Sequence, residues 1–354
     1  MTQTTTSAAL LDSPFMKACR REPTPYTPIW LMRQAGRYMK VYRDVRDKYS
    51  FKDLCKNADL AAEITLYAVE RLGVDAAIIF SDILLILEPM GLRLEYEKGE
   101  GPVIHNPIRT IADIDALHPV TSIEPFPFLT KAIGITRHGL PSDIPLIGFC
   151  GAPFTLASYM IEGQGSRNYV RTKSLMLQEP QAWHTLMSRI SDSLGIYLVG
   201  QLRLGAQAVQ IFDSWVGCLS PGDFEISVLP YLQRIIQFVK REEPAAPIIY
   251  FSTDTAAMLP LVKQTGADVI GIDWRIALDN AWKNLGDDVG IMGNLDPTVL
   301  FAEPAIIKKK TQCILDQAGN RPGYIFNLGH GVLPETPLEN VEALVRIVHE
   351  YTFQ

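Results

Sequence analysis

Short apolar runs of strand length recur along the chain at residues 28–32, 76–80, 146–150, 208–212, 248–251, 269–272, 289–292 and 324–326. Between several of them apolar positions return with helical spacing, as over residues 54–72, 183–204, 224–240 and 338–349. Eight such runs, each followed by helix, predict an α/β fold: a single (β/α)8 barrel of the TIM type. A doubly wound open sheet of similar strand count is the alternative. Its dinucleotide-binding form wants G-x-G-x-x-G directly after a strand. Gly163-Gln164-Gly165 instead follows a helical stretch and lacks the third glycine in register.

The interval from Asp82 to Pro145 is too long for one βα unit and predicts an insertion after the second strand. It holds a Pro89-Met90-Gly91 turn, an alternating Leu92-Arg93-Leu94-Glu95-Tyr96 run and a Gly99-Glu100-Gly101-Pro102 turn, which together read as a hairpin. No repeat, low-complexity stretch or charge block marks a boundary. One domain over residues 1–354 is expected, with residues 1–13 a flexible tail.

Composition narrows the class. Of 354 residues, 47% are hydrophobic and 20% charged, which suits a globular protein and not a disordered one. Lys and Arg number 33 against 39 Asp and Glu, a net charge of −6 with no long basic run, so non-specific nucleic-acid binding is not expected. A basic pocket inside an acidic body remains compatible with that balance. The five cysteines are scattered, with no C-x-x-C pair, so neither a disulfide framework nor a cysteine zinc site is signalled and reduced thiols in a cytoplasmic enzyme are expected. Residues 1–12 lack the basic and apolar regions of a secretory signal. The longest apolar stretch, 76–87, is broken by Ser81 and Asp82 and is too short to span a bilayer, so no membrane partner is expected.

In a barrel, functional side chains gather just after the strands. Arg33, Gln34, Ala35, Gly36 and Arg37 follow the first run, Ser81 and Asp82 the second, Asp213 and Ser214 the fourth, and Gly329-His330-Gly331 the last. Arg33 and Arg37, four apart, would share one face of a helical turn. Either an anion lies between their guanidinium groups or each makes a structural ion pair. Asp82 interrupts an apolar run. It either caps the helix that follows or sits deep enough to accept N–H groups and stabilise a developing cation. Tyr159, on a helix after Gly151-Ala152-Pro153, is a core tyrosine or a pocket contact. Ser214 is a cap or a contact, and no G-x-S-x-G elbow surrounds it. His330 between two glycines suits a hydrogen-bond donor or a proton carrier near pH 7. Asp213, Asp273 and His330 form no local ligand cluster, so no metal is expected.

These segments resemble the uroporphyrinogen decarboxylase family from Pro28 onward. The resemblance is carried by Pro28-Ile29-Trp30-Leu31-Met32-Arg33-Gln34-Ala35-Gly36-Arg37-Tyr38 and Ile79-Phe80-Ser81-Asp82-Ile83-Leu84. It continues through Gly148 to Leu156, Tyr159 to Gly163, Phe212-Asp213-Ser214-Trp215 and Phe326-Asn327-Leu328-Gly329-His330-Gly331. Gly163-Gln164-Gly165-Ser166 departs from the Gly-Gly-Ser-Ser that relatives often carry.

The resemblance implies a (β/α)8 barrel and a cofactor-independent enzyme. Such an enzyme removes carbon dioxide from the four acetates of uroporphyrinogen in turn, giving coproporphyrinogen. It also implies a homodimer. Site residues carry over by motif. Arg33 and Arg37 would hold substrate carboxylates, and Asp82 would be the catalytic residue at the centre of the macrocycle. Tyr159, Ser214 and His330 would be polar contacts, and Gln34, Ala35 and Phe212 would line the pocket. The rival within the superfamily is a zinc-dependent corrinoid methyltransferase, which needs His-x-Cys zinc ligands; none occurs, and His330 is followed by Gly331-Val332. A non-catalytic tetrapyrrole carrier is the rival from another class.

Overall fold

The computed structural model describes residues 8–97 and 101–352. Seven parallel strands form one sheet: β1 (Ala77–Ile78), β4 (Leu146–Gly151), β5 (Ala208–Asp213), β6 (Ile248–Ser252), β7 (Val269–Gly271), β8 (Gly290–Leu295) and β9 (Tyr324–Leu328), hydrogen-bonded in that order. The sheet curls until its edges nearly meet, and residues 28–32 fill the gap. On one side Phe326 N–H donates to Pro28 O at 2.8 Å and Trp30 N–H to Phe326 O at 3.4 Å; on the other Asp75 N–H donates to Ile29 O at 2.8 Å. The fold is therefore the expected (β/α)8 barrel, but its first strand is only a single bridge, Ile29 to Phe326.

Side chains replace the missing ladder bonds at that seam. Gln34 Oε1 accepts Leu31 N–H at 3.1 Å while its Nε2 donates to Ala76 O at 3.1 Å. Asn327 Oδ1 accepts Met32 N–H at 3.1 Å. Asp75, 5% exposed, accepts Ile29 N–H at 2.7 Å and the Tyr26 hydroxyl at 2.9 Å, and meets His349 Nε2 at 2.8 Å. Buried backbone donors must find partners, and here side chains supply them.

Two predicted helices divide. The 54–72 stretch becomes Phe51–Lys56 and Ala58–Leu72, because Asn57 turns its side-chain oxygen onto the N–H groups of Asp59 and Leu60 and caps the second helix. The 224–240 stretch becomes Pro221–Ser227 and Leu229–Glu242. Pro230 has no N–H to continue a helix and its ring crowds the preceding turn, so the break falls at Val228. The 183–204 stretch is the single helix Pro180–Arg203, and Leu338–His349 is helical throughout.

The predicted hairpin is the antiparallel pair β2 (Leu94–Glu97) and β3 (Gly101–Ile104), with Tyr96 opposite Pro102. Glu100 of its expected turn lies outside the described residues, as does Gly99. The hairpin docks on the barrel through Ile104 N–H to Gly163 O at 2.7 Å and Lys52 Nζ to Leu94 O at 2.6 Å. Within the stretch expected as a tail, Ala8–Leu11 is helical, Leu10 is buried and Ser13 caps the helix Pro14–Cys19. Among the described residues no helix is long and apolar enough to cross a membrane.

Candidate active site

A parallel barrel brings all strand C-termini to one end, and there a cavity of about 1330 Å³ opens. Arg33, Ala35, Arg37, Asp82, Tyr159, Phe212, Ser214 and His330 all line it, so residues up to 297 positions apart (330 − 33) share one wall. Gln34 does not. Expected as a pocket residue, its side chain is 1% exposed and spent on the barrel seam.

Arg33 and Arg37 lie in an irregular turn, not on a helix face. Arg33 has a left-handed backbone, φ 61°, which helical continuation would not allow. The stem of Arg33 runs directly over Gly331, where any Cβ would lie 2.4 Å from Arg33 Cδ. Val332 N–H donates to Met32 O at 2.9 Å and clamps the glycine-flanked loop against the arginine. Burial lowers the Arg33 pKa, against the pull of the nearby Asp82 and Tyr159.

Asp82 closes the floor. Its Oδ1 accepts Leu84 N–H at 2.8 Å, so it caps the turn that follows while also facing the cavity; the two readings of this residue are one arrangement. Burial raises its pKa, opposed by the Leu84 N–H, by Tyr96 and by the positive charge of Arg33. The side wall is aromatic. Tyr159 stacks on Trp215 with ring centres 3.9 Å apart, and Trp215 meets Tyr169 at 5.2 Å. Ser214 is held through its carbonyl, which accepts the Thr253 hydroxyl at 2.7 Å. Beneath it Asp213 is fully buried, accepting Thr155 Oγ1 at 2.7 Å and Tyr250 Oη at 2.8 Å, and burial pushes its pKa up to about 6.

Burial, with Arg33 and Arg275 nearby, lowers the His330 pKa to about 4, which favours the neutral imidazole at pH 7. Among the described residues no three His, Cys, Asp or Glu side chains gather as metal ligands.

Of the pocket residues that escaped the sequence reading, three bear on the chemistry. Arg46 ends the helix Lys40–Arg46, donating to Tyr49 O at 2.5 Å with its guanidinium 5.6 Å from the Phe51 ring centre. Tyr96 reaches in from the hairpin, and Trp215 closes the wall. Arg46 and Tyr96 do not follow a barrel strand; only the odd-even alternation of the hairpin hinted that one face of it would be covered. Trp215 stood inside a quoted motif without a role.

Fold and site together define an enzyme of the (β/α)8-barrel class, with arginines and one half-buried carboxylate lining the same cavity. Residues 10–351 match the family model described as uroporphyrinogen decarboxylase, and the chain belongs to that family. It is 54% identical over 340 residues to the uroporphyrinogen decarboxylase of Carboxydothermus hydrogenoformans, covering 96% of this chain and 97% of that one. With the uroporphyrinogen decarboxylase of a Roseiflexus species it shares 52% over 346 residues, covering 97% and 99%. Among solved structures, a methyltransferase from Methanosarcina mazei superposes with a TM-score of 0.80 at 20% identity, covering 96% of this chain and 98% of that one. That likeness concerns the fold alone.

Proposed function

We infer that the site decarboxylates uroporphyrinogen, converting its four acetates to methyls in turn and releasing four molecules of carbon dioxide. The single observation that carries this reading is Asp82, a half-buried carboxylate facing a cavity with arginines on its wall. Loss of carbon dioxide from an acetate leaves an electron pair that needs a sink. Protonation of the adjacent pyrrole makes that ring cationic, so it takes up the pair as the carbon–carbon bond breaks. A proton then replaces the lost carboxylate, and the ring proton leaves. Asp82 accepts the pyrrole N–H groups and stabilises the cation as it forms, in a site already oriented for it. Arg33 and Arg37 grip substrate carboxylates in charge-assisted bonds, and Arg46 extends the same basic wall. Neutral His330 and the hydroxyls of Tyr159 and Ser214 contribute uncharged hydrogen bonds, while Ala35 and Phe212 shape the apolar wall.

We infer a cytoplasmic location, because five free cysteines suit a reducing compartment, and a homodimer, as the family resemblance implies. The test is anaerobic incubation with uroporphyrinogen, then oxidation and chromatography of the porphyrins. Hepta- to tetracarboxylate products are expected from the native protein. Asp82→Asn, which keeps the shape and removes the charge, is expected to fold and bind substrate yet lose at least about 100-fold in kcat, the scale for losing one preorganised electrostatic contact. Native protein without such products would overturn the reading.

A further inference from the structure

The hairpin inserted after β1 carries a side chain that the mechanism above does not use. Tyr96 lies on β2, and its ring packs edge-on against Phe51 at 4.8 Å. Phe51 in turn meets Phe80, two residues before Asp82, at 6.2 Å. The Tyr96 side chain is part of the cavity wall, yet its hydroxyl oxygen is shut off from solvent and makes no hydrogen bond in this structure, with Asp82 or with any other group. An unsatisfied buried hydroxyl costs on the order of 1–3 kcal/mol, so a polar tip buried here calls for a counterpart. The Asp82 carboxyl, in the same wall, is near enough to act on it.

Several groups face Asp82 from the elements packed around it. Arg33 comes from the first strand segment, Tyr96 from the hairpin and Cys55 from helix Phe51–Lys56. Tyr159 comes from helix Pro153–Glu162 and Tyr197 from helix Pro180–Arg203, with Leu84 N–H below. Of these, Leu84 N–H, Tyr96 and Arg33 favour the ionised carboxylate, while burial favours the neutral acid. The phenol responds in the opposite sense: burial and Asp82 push its pKa far up, so it stays protonated and can only donate to the carboxylate.

We propose that Tyr96 is a positioning residue of the decarboxylation. On substrate binding its hydroxyl turns to donate to Asp82 and, with Leu84 N–H on Oδ1, holds the carboxylate anionic and aimed into the cavity. A carboxylate has about four lone-pair sites, so two tethers leave room for substrate N–H groups. Without the phenol, burial shifts Asp82 toward the neutral acid, which cannot stabilise a cation. This inference rests on the decarboxylase reading, and the two can fail separately.

The experiment compares native protein with Tyr96→Phe on uroporphyrinogen across a pH series, alongside thermal melting. The variant keeps the ring packed on Phe51 and removes one oxygen. Its kcat is expected to fall about 10-fold, the scale of one hydrogen bond to a charged group, with KM nearly unchanged. The acidic limb of the kcat profile should move to higher pH, because Asp82 protonates more readily. The melting temperature should hold or rise, since an unsatisfied buried oxygen is gone. An active native enzyme with an identical acidic limb in the variant would overturn the role of Tyr96 alone. So would a loss of activity that merely follows a loss of stability. An inactive native protein would instead defeat the decarboxylase reading.

Discussion

The two glycines flanking His330 make opposite demands at the scale of single residues. A Cβ on Gly329 would lie 2.6 Å from the Trp274 backbone nitrogen, and backbone cannot step aside, so this glycine serves the fold. The three atoms nearest a Cβ on Gly331 all belong to the Arg33 side chain, with Cδ at 2.4 Å and Nε at 2.9 Å. Gly331 has no unusual backbone conformation to protect, so Gly331→Ala should fold and displace the guanidinium. Loss of one charge-assisted contact predicts a KM for uroporphyrinogen about 10-fold higher or more, with little change in melting temperature. Steady-state kinetics decides; a native KM would show that Arg33 does not hold substrate. Arg33, Asp82, Tyr159, Ser214 and His330 were legible because a strand end or a motif marked each of them. Arg46 and Tyr96 were not, because what brings them to the cavity is the docking of a helix and a hairpin, and no local pattern records that docking.

The weakest element of the barrel is its first strand, and its closure is a side-chain device. Asp75 ties that strand, the Tyr26 hydroxyl and the C-terminal helix through His349. Asp75→Ala would strand a buried N–H at Ile29 and release the helix contact, at an expected cost of about 3 kcal/mol in unfolding free energy. Asp75→Asn keeps one acceptor and should lose less. Urea denaturation of both variants checks the order, and equal stability to the native protein would remove the seam's dependence on Asp75. Periodicity located every barrel strand because buried parallel strands are mostly apolar, while Gly101 and Pro102, expected in a turn, lie in β3. It missed the helix breaks at Asn57 and Val228, since apolar spacing continues across them while capping and proline sterics do not depend on it. Gln34 was misplaced for a related reason: an amide beside a strand end reads as pocket or seam equally well until the neighbouring strand is known.

Across the whole molecule, a net charge of −6 surrounds a cavity whose wall carries Arg33, Arg37 and Arg46. The average charge governs solubility and long-range repulsion, while the local arrangement governs the ligand. For a substrate bearing many carboxylates, salt should therefore weaken binding. Raising ionic strength from 0.1 to 1 M shortens the Debye length from about 10 Å to about 3 Å, and KM should rise several-fold while kcat changes little. A KM indifferent to salt would count against carboxylate recognition by these arginines.

Order of strands and helices, the parallel sheet and the end of the barrel that carries chemistry all follow from the chain read in one dimension. Each depends on local periodicity and on a handedness common to all such sheets. The hairpin's place over the cavity, the side-chain seam that closes the ring, the neutral state of His330 and the nearness of Tyr96 to Asp82 are set only when distant segments meet. Burial, and the charges that surround a group once it is buried, are properties of that meeting and have no counterpart in sequence order.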